Sequence, residues 1–263
     1  MDPVWSQHIY IYTLLGLLGL SLGSFLNVVI YRLPFGKSVI KPRSFCPSCG
    51  TTIPFFYNIP ILSYLLLRGK CKYCGKRISP RYLIVEVVSA MIVVGFYMVF
   101  GPGWEFVGYT IFTLALLAVF LIDFVHYIIP DQITYPGIVL GMLFSFVNPQ
   151  ITTLESILGV LVGGVGLLLV GVLGDLLFKK ESLGGGDIKL AAMLGAFLGW
   201  KNVLFIFISA SVIGLIASIF AIFLSDSVRE SRRIPFGPFL ATAAVVAMFF
   251  GDYLINLYIA SIQ

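Results

Sequence analysis

Long apolar stretches separated by short polar ones make up most of this sequence. A helix of about 20 apolar residues spans a bilayer, so the pattern predicts an all-α, polytopic membrane protein. About eight transmembrane helices are expected, at residues 9–30, 82–100, 105–122, 133–147, 154–178, 188–199, 203–224 and 236–258. The fourth and sixth stretches are short, which leaves a seven-helix or re-entrant arrangement open.

The polar segment between the first two apolar stretches predicts the orientation of the chain. Residues 32–81 carry ten Lys and Arg residues and no Asp or Glu, and basic loops stay on the cytoplasmic side. If this segment is inside, eight helices that cross the membrane in alternating directions fix the side of each later loop. Of the seven basic residues after residue 81, only Lys201 then falls outside. The other six fall inside: Lys179, Lys180, Lys189, Arg229, Arg232 and Arg233. The charge distribution therefore agrees with eight helices.

Composition supports the membrane assignment. Hydrophobic residues make up 59% of the 263 residues and charged residues 11%, whereas soluble proteins carry about 25% charged residues. The net charge of +5 then reflects orientation and contact with anionic head groups, so the expected partner is the lipid bilayer and not a nucleic acid. No basic residue precedes the first apolar stretch, so we expect a retained helix rather than a signal peptide.

All four cysteines lie in the basic segment. They form two Cys-x-x-Cys pairs, Cys46 with Cys49 and Cys71 with Cys74, and each pair is followed by glycine. This spacing is typical of a tetrahedral zinc site with four thiolate ligands, and glycine permits the left-handed turn that directs N–H groups at sulfur. Disulfides and free thiols are the alternatives, and the cytosol disfavours disulfides. We expect a structural zinc ion.

Two acidic residues lie at the cytoplasmic ends of predicted helices. Asp123 ends the third helix and Asp187 begins the sixth, directly after Gly184-Gly185-Gly186. Ionisable groups at membrane depth point to function. Two neighbouring carboxylates can act on an amide as general base and general acid, with water as the nucleophile. The glycines would let an extended substrate backbone come close to Asp187.

Other interpretations of the polar residues stay open. Asp187 can serve as the N-cap of its helix, and for Asp131 capping is the preferred interpretation. His126 is a possible general base, although a single interfacial histidine is more often structural. Glu86 is expected to form an ion pair with a nearby arginine, either Arg81 or Arg32.

Pairs of glycines four residues apart predict close helix packing. Gly19 and Gly23 lie in the first predicted helix, and Gly159 and Gly163 lie in the fifth. Small residues at this spacing let membrane helices approach each other closely. We interpret both pairs as packing positions.

Four features occur in a specific order along nearly the whole chain. They are G-S-F-L-N-V-V-I-Y-R-L-P at 23–34, the paired Cys-x-x-Cys motifs, R-Y-L-I-V-E at 81–86, and the two aspartate segments, the second reading G-G-G-D-I-K-L at 184–190. Together they resemble the prepilin peptidases, also called type IV leader peptidases, which are bacterial inner-membrane aspartic proteases of the G-x-G-D class. The resemblance implies a first transmembrane helix at 1–31, a cytoplasmic zinc-binding domain at 32–81 and a transmembrane aspartic peptidase domain at 82–263.

The resemblance also implies an activity. Leaders of type IV prepilins or pseudopilins would be cleaved at the cytoplasmic face of the inner membrane, with Asp123 and Asp187 as the catalytic pair. Supporting or substrate-binding positions would be Gly184, Gly185, Gly186, Asp131 and Lys189. Members with the cysteine loop also N-methylate the new amino terminus with S-adenosylmethionine, so both activities are expected. Candidate methyl-donor positions are Asn27, Arg32 and Glu86.

An ion-coupled transporter is the alternative from another class of protein. Transporters also contain intramembrane carboxylates and glycine-interrupted helices. A transporter predicts a carboxylate near the middle of the bilayer, whereas Asp123 and Asp187 are both predicted at the inner face. Their position favours the protease.

Overall fold

A computed structural model describes residues 3–179, 183–224 and 234–262. Within these ranges the chain is helical, and its β-pairing is limited to two isolated bridges, Phe45 with Thr52 and Lys70 with Arg77. The described α-helices are α1 Pro3–Arg32, α2 Leu62–Leu66, α3 Arg81–Phe100, α4 Trp104–His126, α5 Asp131–Phe144, α6 Thr153–Phe178, α7 Gly185–Leu224 and α8 Gly237–Ile262. The prediction of an all-α fold is confirmed.

Six of the described helices are long and apolar enough to cross a membrane: α1, α3, α4, α6, α7 and α8. The remaining apolar helix, α5, has only 14 residues. Helix α7 has 40 residues and is interrupted at Gly199, so its halves correspond to the sixth and seventh predicted spans. A total of eight crossings stays a prediction. The polar loop expected at 225–233, and Lys180, lie outside the described residues.

Helix α7 reverses its direction at Gly199. This residue has φ 76° and ψ 168°, a left-handed φ that glycine adopts without steric cost. The first turns of α7 and α8 both contact Ile129, and Gly214 of α7 lies against Phe239 near the start of α8. The second half of α7 therefore returns towards the end at which the first half began.

Contacts divide the chain into two compact units, Met1–Leu114 and Ala115–Gln263. In the first unit α1 packs along α3, and a Cβ atom added at Gly19 would lie 2.5 Å from Cα of Ala90. In the second unit Gly159 and Gly163 bring α6 against the backbone of α7. The packing predicted for both glycine pairs is confirmed, because any side chain there would overlap neighbouring backbone. The boundaries expected at 31 and 81 stay a prediction.

Candidate active site and metal centre

Asp123 and Asp187 lie together within the second unit. Asp123, in the last turn of α4, is 5% exposed, and Asp187, in the first turn of α7, is half-buried. The two carboxylates are close enough to interact electrostatically. Helix α4 ends at His126, after which Tyr127 takes a left-handed φ of 57° while its N–H still bonds to the carbonyl of Asp123. A helix end and a helix start therefore bring the two aspartates together.

The backbone of Gly237 completes the surroundings of Asp123. The N–H of Gly237, at the start of α8, donates to Oδ2 of Asp123 at 3.0 Å. A Cβ atom at this position would lie 2.6 Å from the same oxygen, so glycine allows the approach of α8. Sequence reasoning missed this contact; the available signal was the Pro-Phe-Gly-Pro run at 235–238, which marks a turn into a helix.

The three glycines before Asp187 have different surroundings. A Cβ atom at Gly186 would lie 2.9 Å from Cβ of Ile129, so Gly186 lets the loop after α4 pack against α7. A Cβ atom at Gly184 would lie 3.2 Å from Oδ2 of Asp187, and one at Gly185 would meet nothing within 4 Å. Open space is therefore found at Gly185, two positions before Asp187.

Asp131 and Lys189 connect the N-terminal parts of α5 and α7. The Lys189 Nζ atom lies 2.7 Å from Oδ1 of Asp131. The N-cap of α5 is Pro130 and no side chain caps this helix, so the prediction that Asp131 acts as a cap is wrong. Helix α7 begins at Gly185, which places Asp187 in its first turn rather than at its N-cap. The ion pair instead holds α5 to the helix that carries Asp187.

The four cysteines converge in the first unit. Their sulfur atoms all lie within 4.8 Å of one another, and the Sγ atoms of Cys46 and Cys74 are 3.9 Å apart. Zinc–sulfur bonds of about 2.3 Å in a tetrahedron require sulfur atoms about 3.8 Å apart. Cys46 and Cys71 are buried and the other two are exposed. Their chemistry and spacing suit a four-thiolate metal ion, and none of the four forms a disulfide.

The two cysteine pairs have the same backbone conformation. In the first turn the N–H of Cys46 donates to the carbonyl of Thr51 and the N–H of Gly50 donates to that of Cys46; the second turn repeats both bonds through its equivalent residues Cys71, Lys76 and Gly75. Gly50 and Gly75 have φ values of 70° and 68°, as expected for left-handed turns. The short bridges described above close both turns.

Local hydrogen bonds influence ionisation of the thiols. The side chain and backbone of Thr51 lower the pKa of Cys49 to about 6, and backbone N–H groups of Cys74 and Tyr73 lower the pKa of Cys71. A backbone hydrogen bond from Lys76 also acts to lower the pKa of Cys74, but desolvation and the neighbouring thiols raise it to about 11. Zinc binds thiolates and displaces their protons, so this donor set can hold a divalent cation once Cys74 is deprotonated.

The three candidate methyl-donor positions line one cavity of about 320 Å³ within the first unit. Asn27, Arg32 and Glu86 are all buried. Glu86 accepts a hydrogen bond of 2.8 Å from the N–H of Ile61. All three residues lie in the described part of the chain, and Glu86 forms no ion pair with Arg81 or Arg32. The predicted pairing is therefore wrong.

The fold and the paired carboxylates are those expected of a membrane-embedded aspartic peptidase. The family model described as "Type IV leader peptidase family" matches residues 110–219, and the "Bacterial Peptidase A24 N-terminal domain" matches residues 17–100. The chain belongs to the type IV leader peptidase family.

Curated relatives with the name "Prepilin leader peptidase/N-methyltransferase" extend this match over most of the chain. The Aeromonas hydrophila protein is 34% identical over 95% of this chain and 94% of its own length. The Pseudomonas putida protein is 35% identical over 97% and 94%, and the Xanthomonas campestris protein is 36% identical over 92% of both. No solved structure matches significantly. Nothing in these matches favours the transporter hypothesis.

Proposed function

We propose that this chain removes the leader peptide of type IV prepilins or pseudopilins and then N-methylates the new amino terminus with S-adenosylmethionine. The observation that supports cleavage most directly is the pair formed by Asp123 and Asp187, next to the three glycines at 184–186. Membership in the leader peptidase family supports both activities, because relatives that match nearly the whole chain carry both in their names.

In the proposed cleavage step one aspartate acts as general base and the other as general acid. One carboxylate removes a proton from water, whose oxygen adds to the carbonyl carbon of the scissile peptide bond. The other carboxyl group donates a proton to the leaving nitrogen as the C–N bond breaks. Gly237 holds one oxygen of Asp123 in place, and the open backbone at Gly185 admits an extended substrate.

The site is proposed to face the cytoplasm of a bacterial cell at the inner membrane. The basic segment 32–81 supports this orientation, since Lys and Arg accumulate in cytoplasmic loops. We propose that this segment lies on lipid head groups, which its charge favours.

Zinc is proposed as the ion held by Cys46, Cys49, Cys71 and Cys74. A closed site with four protein ligands leaves no position for a reactant, so its role is structural. Such a site supplies folding energy to a segment that has little regular secondary structure. S-Adenosylmethionine would supply the methyl group for the new amino terminus, and the candidate positions Asn27, Arg32 and Glu86 would hold it.

The test uses purified full-length protein and a prepilin substrate. Asp123→Asn and Asp187→Asn each keep the size of the side chain and remove one ionisable group. We expect cleavage to fall by about 10²- to 10⁴-fold or more in each, the usual contribution of acid–base catalysis. Mass spectrometry of the product amino terminus measures cleavage and the added methyl group.

The matched control is Asp252→Asn. Asp252 lies in α8 well beyond Gly237, is exposed and accepts a bond from Asn202. Normal cleavage by either Asp123→Asn or Asp187→Asn would contradict the proposed dyad. A product without a methyl group, with the donor present in excess, would contradict the second activity and leave cleavage intact.

A further inference from the structure

The cavity of the first unit holds buried groups that the cleavage mechanism does not use. Asn27 is 4% exposed, Arg32 4% and Glu86 8%, and all three line the cavity. The amide nitrogen of Asn27 donates to the carbonyl of Tyr82 at 3.0 Å, but its oxygen has no hydrogen-bond partner. A buried acceptor without a donor is costly, and a ligand in the cavity can supply the donor.

Arg32 carries a buried positive charge whose described partners are neutral. Its guanidinium donates to the carbonyls of Ser38 at 3.0 Å, Pro42 at 2.8 Å and Arg43 at 3.3 Å, and it lies over the ring of Phe45 at 5.8 Å. No carboxylate among the described residues pairs with it. Arginine binds carboxylates through two parallel hydrogen bonds, so an anionic ligand group fits this position.

Glu86 provides the opposite charge on the same cavity wall, and strained backbone holds it. The N–H that binds its carboxylate belongs to Ile61, which has φ 60° and ψ −54°. Positive φ is unfavourable for a β-branched residue, and such strain is concentrated at functional sites. The carboxylate also accepts a hydrogen bond from the side chain of Ser24. One buried anion and one buried cation together complement a zwitterion.

Aromatic side chains form much of the remaining wall. Besides Phe45, these are Tyr31, Tyr57, Tyr64, Tyr73 and Tyr82, and aromatic faces stack on nucleic-acid bases. The volume of about 320 Å³ lies at the lower end of the range of small-molecule sites, about 300–1,000 Å³. A ligand that combines a purine with a charged amino acid matches both the walls and the charges.

We propose that this cavity binds S-adenosylmethionine. Arg32 receives the carboxylate of the methionine portion, Glu86 the positively charged amino and sulfonium groups, and the oxygen of Asn27 a donor of the ligand. Because Cys46 and Cys71 also line the cavity, the metal centre holds part of its wall. This assignment rests on the methyl transfer proposed above and names the residues that bind the donor.

The test measures binding of radiolabelled S-adenosylmethionine to the full-length, zinc-loaded protein by equilibrium dialysis. Glu86→Gln removes the charge but keeps an acceptor for Ile61, and Asn27→Leu removes the unpaired oxygen at similar volume. Each should weaken binding by about 10- to 100-fold, as expected for loss of a hydrogen bond to a charged group. Lys37→Ala, which changes an exposed basic residue that does not line the cavity, should bind like wild type.

Ultraviolet cross-linking of wild-type protein to the labelled donor provides a second measurement that needs no variant. The label should appear in peptides from residues 24–86, and label confined to Ala115–Gln263 would overturn the assignment. Wild-type affinity in both Glu86→Gln and Asn27→Leu would also overturn it, while methylation by wild type would keep the proposed function standing. A wild-type protein that neither binds the donor nor methylates a leaderless peptide would refute methyl transfer itself and this site with it.

Discussion

Each compact unit of the chain contains a buried carboxylate held by a backbone N–H group, but the two have different neighbours. In the first unit Glu86 lies in a cavity with a guanidinium and is bound by a strained residue of the polar insertion. In the second unit Asp123 lies beside another carboxylate and is bound by the first residue of a long helix. Opposite charges suit the binding of a zwitterion, whereas two acids suit proton transfer. The neighbour, not the carboxylate itself, distinguishes the two sites.

The construction of the sites differs as well. The walls of the first depend on cysteine turns that contain little regular structure. The second site depends on the ends of α4, α7 and α8, which are long helices. No metal ligand is found among the described side chains of this site. Metal removal should therefore affect the first site far more than the second.

Of the substitutions considered, Cys71→Ser should distinguish the two sites most strongly. Cys71 is a buried member of the four-cysteine cluster, and loss of a structural zinc ion unfolds small zinc domains. We expect donor binding and methylation of a leaderless peptide to become undetectable, with a much smaller loss of leader cleavage. Zinc content measured by plasma mass spectrometry should fall in parallel, while Lys70→Ala, an exposed neighbour, should retain the metal. Equal loss of both activities would show that the two sites are not built independently.

Gly237→Ala should produce the next largest effect, on the second site. The added methyl group would lie 2.6 Å from Oδ2 of Asp123, so either the carboxylate or α8 must move. A displacement of about 1 Å can lower catalysis about 10²-fold, and we expect a loss of this size in kcat for cleavage, with donor binding retained. Gly166→Ala, where the methyl group meets nothing within 4 Å, is the control. Unaltered kcat in Gly237→Ala would remove this backbone contact from the mechanism.

Close helix packing should contribute similarly to the stability of the two units. The units would then differ in their sites and not in how their helices pack. A Cβ atom at Gly19 overlaps Ala90 in the first unit, and one at Gly163 overlaps the carbonyl of Ala191 in the second. Each Gly→Ala change should destabilise its unit by about 1–3 kcal/mol, as overpacking does. Thermal unfolding in detergent measures this effect.

Matched alanine controls for those two substitutions exist on the same helices. Gly16 and Gly166 both have open space at the position of a Cβ atom, and alanine there should stabilise the helix by about 0.5–1 kcal/mol. If all four variants unfolded alike, the close helix contacts would carry no stability.

Lys189→Met should give the smallest effect. The ion pair between Lys189 and Asp131 has side chains 32% and 51% exposed, and pairs of this kind contribute about 0–1 kcal/mol. We expect a slight decrease in unfolding temperature and in cleavage, and the double variant with Asp131→Asn should add little further loss. A large loss of cleavage without loss of stability would instead place Lys189 in contact with substrate.

The sequence predicted the features that residue type and spacing encode. Apolar stretches placed the helices, the Cys-x-x-Cys pairs indicated the metal centre, and the charge distribution placed Asp123 and Asp187 at the same end. Glycine spacing identified the packed faces of α1 and α6. Each of these signals is local or repeats at a fixed interval.

Contacts made by backbone groups or by distant residues could not be predicted in this way. The N–H of Gly237 is a donor that every residue type except proline possesses, so no side chain announces its role. Ile61 binds Glu86 only because the insertion folds back on α3. Asp131 looked like a helix cap because its partner, Lys189, lies on another helix. Tertiary structure determines all three contacts.

The short length of two segments has a consequence for the surrounding lipid. Helix α5 has 14 residues, as does the part of α7 before Gly199, so each is about 21 Å long at 1.5 Å per residue. The hydrocarbon layer is about 30 Å thick, and a bilayer thins around segments that are too short for it. Both segments begin beside the two aspartates. If both segments cross the bilayer, hydrophobic mismatch would thin the membrane around this site and shorten the path of water to the two aspartates.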